Sequence, residues 1–194
     1  MAAHRGKACT DRLTSVILLG AVMCGCHSTQ SATPSKSTTA APAASQSGAP
    51  AAKLRPLSVR PVQRSKVTTP DKCPATNPDA PVAPANVLTT CDLARTTLYT
   101  LGPEAIQLML TRVDPPKPLT ADYYEVNLRM DPASSSAWAS FTADHLHAHI
   151  AFVRDDLVLE APVIQEPVSS GRIALTTPTA QAADQLAELA GRPA

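Results

Sequence analysis

The chain has 194 residues, of which only 3% are aromatic and 19 are proline. That leaves room for one ordinary domain or a small domain with tails, and so few rings among so many prolines exclude a packed core running end to end. The net charge of +1 conceals a division: residues 1–72 hold ten Lys/Arg against two acids, and residues 73–194 hold seven against fourteen. A basic front therefore precedes an acidic body. No phosphate-cradling glycine loop and no basic surface interleaved with aromatics stand in the chain, which argues against nucleotide and nucleic-acid partners.

The charged opening MAAHRGKACTDR is followed by LTSVILLGAVM, an apolar run of 11 residues. Crossing a bilayer takes about 20 residues, so the run suits the centre of a secretory signal. Gly25 directly precedes Cys26, as in a bacterial lipobox, whose cysteine is acylated (palmitate included) and becomes the first residue of the mature protein. Cys24 would put the bulky Met23 where a small residue belongs, so Cys26 is the expected lipidation site. Residues 1–26 read as a lipoprotein signal, and the protein as extracytoplasmic and lipid-anchored to the bacterial cell membrane. Cys9 and Cys24 then leave with the signal, and Cys73 and Cys91 remain as the expected disulfide. Their spacing is far from CxxC and no further thiol is left for a metal cluster.

Residues 27–64, rich in Ala, Ser, Thr and Pro and dotted with basic side chains, show no hydrophobic periodicity. Such a stretch cannot bury enough surface to offset its ordering entropy and is expected to be a disordered tether, with a reach of about 30–35 Å. The folded domain is expected over 65–194. After a Pro- and Ala-rich loop between the cysteines, LARTTLYTLGPEAI gives a short strand and a Gly-Pro break, and AIQLMLTRV fits strand or helix. YYEVNLRM alternates Val126, Leu128 and Met130 as a half-buried strand does. Asp131 and Pro132 fit the N-cap and first turn of a helix whose apolar stripe is Ala137, Trp138, Phe141 and Leu146. HIAFVRDDLVLEAPVI reads as a hairpin turning at Arg154-Asp155-Asp156, with Pro162 and Pro167 ending its pairing and Gly171 opening the next strand. GRIALTT is that strand, and a helix runs from Thr179 to Gly191. The expected fold class is α+β, a two-layer sandwich with a largely antiparallel sheet and helices on one face.

These words in this order (YTLGPEAI, YEVNLRM, WASFT, HIAFVRDDLVLEAPVI, SSGRI and AADQLAELAGRP) resemble the head subdomain of the first extracytoplasmic domain of SecD/SecDF, protein-export membrane proteins. The resemblance covers about residues 97–193. This chain departs from the family pattern in turning through Asp155-Asp156 without a glycine, and in carrying Thr177-Pro178 where the family has Gly-x-Phe. The resemblance implies a non-enzymatic domain that contacts exported polypeptide or Sec translocase components. The base subdomain and membrane bundle of the family are not expected here, so a proton-driven motor is not carried over.

Enzyme chemistry finds little footing. His145, His147 and His149 alternate, and on one strand they would share a face fit for Zn²⁺, which makes a histidine-based metal-binding protein or hydrolase the alternative. The helix expected before them scatters them instead. The serines of PASSSAW lack a nucleophile elbow, and the adjacent acids Asp155 and Asp156 would point apart in a turn. No catalytic residue, no metal and no cofactor are expected, and the expected function is a binding or accessory module linked to protein export or to envelope proteins.

Overall fold

The computed structural model describes residues 53–194. The signal-like segment with Cys24 and Cys26, and the expected tether as far as residue 52, lie outside the described residues.

The chain forms strands β1 (Leu57–Val67), β2 (Leu88–Cys91), β3 (Thr97–Leu101), β4 (Ile106–Leu108), β5 (Leu110–Val113), β6 (Lys117–Pro118) and β7 (Tyr124–Met130). Helix α1 (Pro132–Asp144), strands β8 (Ile150–Arg154), β9 (Leu157–Glu160) and β10 (Arg172–Thr177), and helix α2 (Ala180–Ala190) complete it. The first sheet runs β2-β3-β1-β8-β9, with β4 also on β1, and the second runs β10-β7-β5, with β6 also on β7. All of these strand pairs are antiparallel. The α+β class and the antiparallel sheet are as the sequence suggested, but the strands are divided between two sheets; α2 packs on the second through β7 and β10, and α1 meets both β7 and β4 of the first.

β1 organises the first sheet. Its start pairs with β4 on one side and β8 on the other, and its end pairs with β3. The expected tether ran to residue 64, yet residues 57–64 are this strand. The reason is tertiary: Leu57 and Val59 enter the main core, and Arg60, 3% exposed, is buried by bonding rather than by chemistry of its own. Its guanidinium donates to the carbonyls of Asn86 (2.7 Å), Gly102 (3.2 Å) and Ala83 (3.4 Å). Gly102 lies where β3 gives way to β4, and a Cβ there would stand 2.9 Å from Pro61 Cγ, so any side chain would force the proline ring to shift.

Period-two alternation places β8 between two cores. Ile150 and Phe152 join the main one with Val126, Leu128, Trp138 and Leu186, while Ala151 and Val153 join a smaller one with Leu88, Leu101 and Val158. The β8–β9 hairpin turns through Asp155 (φ 51°) and Asp156 (φ 58°), both left-handed, a two-residue loop that tolerates aspartate in place of glycine. The Cys73 and Cys91 sulfurs are bonded, with Cα atoms 5.8 Å apart, and close the proline-rich loop onto the end of β2.

Candidate functional site

Helix α1 is fixed at its start. Asp131 Oδ1 accepts from Ser134 N–H (2.6 Å), and Ser134 Oγ in turn accepts from Met109 N–H (2.8 Å) at the break between β4 and β5. The face this helix buries is Ser134, Trp138 and Thr142, with Phe141 half-buried. Ala137 and Leu146, expected in its apolar stripe, are exposed, because the helix ends at Asp144 and two of its buried positions are polar. Thr142 earns burial by bonding: its hydroxyl donates to Trp138 C=O (2.9 Å) and accepts from Val168 N–H (2.9 Å), which ties the 162–168 segment onto the helix.

That tie leaves a cleft of about 260 Å³ between the segment 162–168 and β10. Trp138, Ile150 and Phe152 form its inner side, and Val163, Ile173 and Ala174 its walls. The indole of Trp138 is packed against Phe141 and Phe152 at ring-centroid distances of 5.7 and 5.6 Å. It is 3% exposed, and its Nε1–H has no protein partner, an unusual condition for a buried donor.

One wall is the edge of β10, and the other is an irregular segment bridged to the chain before β8. Pro162 was expected to end the hairpin's pairing, but pairing resumes beyond it: Pro162 C=O accepts from Ile150 N–H and Ile164 N–H donates to Ala148 C=O, both at 3.0 Å. The proline forfeits its own donor yet still accepts. Between these bonds Val163 is bridged to His149, so its own N–H and C=O turn outward, and it is 40% exposed. On the opposite wall, Gly171 C=O accepts from Met130 N–H (3.1 Å). This sets the phase of the ladder, so Arg172, Ala174 and Thr176 turn their backbone groups away from β7. Arg172 is satisfied by Ser170 and Thr176 by Glu160. Ala174 has no strand paired with it on that outward side. Burial pushes the Glu160 carboxyl above its ordinary range, against the two bonds it receives from Thr176.

In the hairpin Ile150, Phe152 and Leu159 are core, Leu157 is half-buried, and the tip is held down. Asp155 pairs with Arg55 (3.2 Å) and Arg192 (2.7 Å), while Asp156 Oδ2 accepts from Val82 N–H (2.8 Å) and its carbonyl accepts from the Thr90 hydroxyl. The two acids point apart. The three histidines do not converge either. His145 stacks on Phe141 at 4.2 Å, His149 Nε2 meets Ala161 C=O at 3.0 Å, and no group of three His, Cys, Asp or Glu suited to a metal exists among the described residues. Ser135 and Ser136 donate their hydroxyls to carbonyls of their own helix turn. The cleft escaped the sequence reading because an apolar Trp138 and an alternating β10 read as plain core. The one available signal was the pair Pro162 and Pro167, which announces an irregular segment.

Residues 112–190 match the family model of the SecDF P1 head subdomain. The protein translocase subunit SecD of Mycobacterium tuberculosis, in two strains, is 32% identical over 90 residues, which is 44% of this chain and 15% of SecD. The chain thus spans about 15% of the length of the curated relatives it matches. A solved structure of SecDF, described as a membrane component that enhances protein export, aligns with 18% identity and a TM-score of 0.45 over 70% of this chain and 61% of that one. A crystal structure of SecDF in a super-membrane-facing form aligns with 19% identity and a TM-score of 0.43 over 68% of this chain and 18% of that one. The cleft, α1 and β10 all fall inside the matched span, whereas the disulfide and its loop fall outside it. From β5 to the end of α2, the chain carries a SecD-like head domain.

Proposed function

We propose that this protein is a non-enzymatic accessory module of protein export, lipid-anchored through Cys26 on the extracytoplasmic side of the bacterial membrane. Its head holds short apolar stretches of extended polypeptide in the Trp138 cleft. The observation that carries this reading is the cleft itself: an apolar depression inside the SecD-like span, flanked by the β10 edge and the outward backbone of Val163, and lined by Trp138, whose indole N–H is unpartnered. A backbone edge recognises any extended chain, and the depression recognises an apolar side chain, a combination suited to many different sequences. SecD is by name a protein translocase subunit, and the same association with Sec translocase components is part of the proposal.

Trp138 is the chain's one tryptophan, so its fluorescence reports on the cleft directly. Titrating the purified protein with a Trp-free, permanently unfolded, carboxymethylated polypeptide should shift or quench that emission saturably. Emission that stays unchanged up to millimolar polypeptide would overturn the reading.

A further inference from the structure

β10 is an edge strand, and edge strands are where a foreign strand can add. Its outward backbone groups belong to Arg172, Ala174 and Thr176, and side chains occupy the two outer positions. The Ser170 hydroxyl accepts from Arg172 N–H (3.3 Å) and donates to Arg172 C=O (3.2 Å). The Glu160 carboxylate reaches across from the end of β9: Oε2 accepts from Thr176 N–H (2.8 Å) and Oε1 from the Thr176 hydroxyl (3.1 Å). Burying a carboxylate against its preference, to satisfy one edge amide, is an expensive arrangement that a purely structural edge does not require. Between these two positions only Ala174 is left, directly over the cleft.

We infer that Glu160 and Ser170 guard the β10 edge and set what the cleft accepts. Along β10 an extended polypeptide pairs by its backbone at Ala174 alone and is otherwise held by an apolar side chain lowered toward Trp138. This rests on the reading of the cleft as a polypeptide site and specifies its mode of binding. Two-point attachment takes up any extended chain offering one apolar residue, and it denies a long strand the continuous ladder that would make release slow. The same guards keep β10 from pairing with β10 of a second copy.

Residue-resolved amide exchange on the purified protein, with and without the carboxymethylated polypeptide, tests the inference. In the wild type the Ala174 amide should slow on adding polypeptide, while Thr176 stays protected throughout. In Glu160→Ala the Thr176 amide alone should exchange about tenfold faster, and polypeptide should restore its protection while binding about fivefold more tightly. Ser170→Ala, at an exposed position, provides a second variant free of any burden on the core, and should open Arg172 in the same way. Unchanged Thr176 exchange in folded Glu160→Ala, or unchanged polypeptide affinity in both variants, would overturn the inference. If the variants open their edge amides but neither they nor the wild type bind polypeptide, the guards stand as a barrier to self-pairing and the reading of the cleft falls.

Discussion

Asp155 is a carboxylate shared by Arg55 and Arg192, and Arg154 lies buried beside them. Burial, partly countered by Asp155 and reinforced by the other two arginines, pushes the Arg154 guanidinium down to about 10. Its Nε and one terminal nitrogen find no partner, while the other donates to Ala190 C=O (3.1 Å) at the end of α2. Removing the carboxylate leaves three like charges facing one another. Asp155→Asn, which keeps tolerance of the left-handed backbone, should therefore cost about 2–4 kcal/mol in chemical denaturation. Arg154→Met should lie within about 1 kcal/mol of the wild type or above it, because a poorly partnered buried charge contributes little. Glu160 adds a pH test. Its raised folded value means the folded protein holds that proton more tightly than the unfolded chain, so the ionised carboxyl costs stability above the raised value. The cost fades as pH falls to the ordinary 4.5. Glu160→Gln keeps an acceptor for Thr176, so it should raise Tm at neutral pH and match the wild type below pH 4.5; a gain independent of pH would contradict the account.

At the scale of elements, the hairpin, α1, β7, β10 and α2 were legible because each is built on local rules. Asp131 and Pro132 start a helix, Val126, Leu128 and Met130 alternate, and two aspartates tolerate a tight turn. β1 was not legible. Arg60 and Pro61 interrupt its alternation, and what makes it a strand is supplied by β3, β4 and β8 and by carbonyls some 20 to 40 residues away in sequence. The cleft was hidden for the same reason, since it arises where the β10 edge comes close to the irregular 162–168 segment. The proline-rich loop depends on long-range ties as well: the disulfide closes it, and Arg60 and Asp156 hold its middle. Reducing or replacing Cys73 and Cys91 should cost about 3 kcal/mol on the chain-entropy view. The loss should show first as faster amide exchange over residues 74–91, with the main core unaffected, and non-reducing mass spectrometry should find the two cysteines linked.

For the whole molecule, the proposed arrangement is a head carried on an acylated Cys26, displaying one guarded cleft. Cys26→Ala should release the protein from the membrane fraction, whereas Cys24→Ala should leave it there; full incorporation of labelled fatty acid into Cys26→Ala would rule out the assignment. Among the described residues no helix is long and apolar enough to cross a membrane. The central claim, that the head contacts extended polypeptide through the cleft, is tested most directly by site-specific photo-crosslinking in cells. A photoreactive residue at Val163, on the cleft wall, should join a secreted polypeptide arrested during export, while the same residue at Lys66, exposed at the end of β1, should not. Equal labelling from both positions, or none from Val163 while the arrested polypeptide is present, would contradict it.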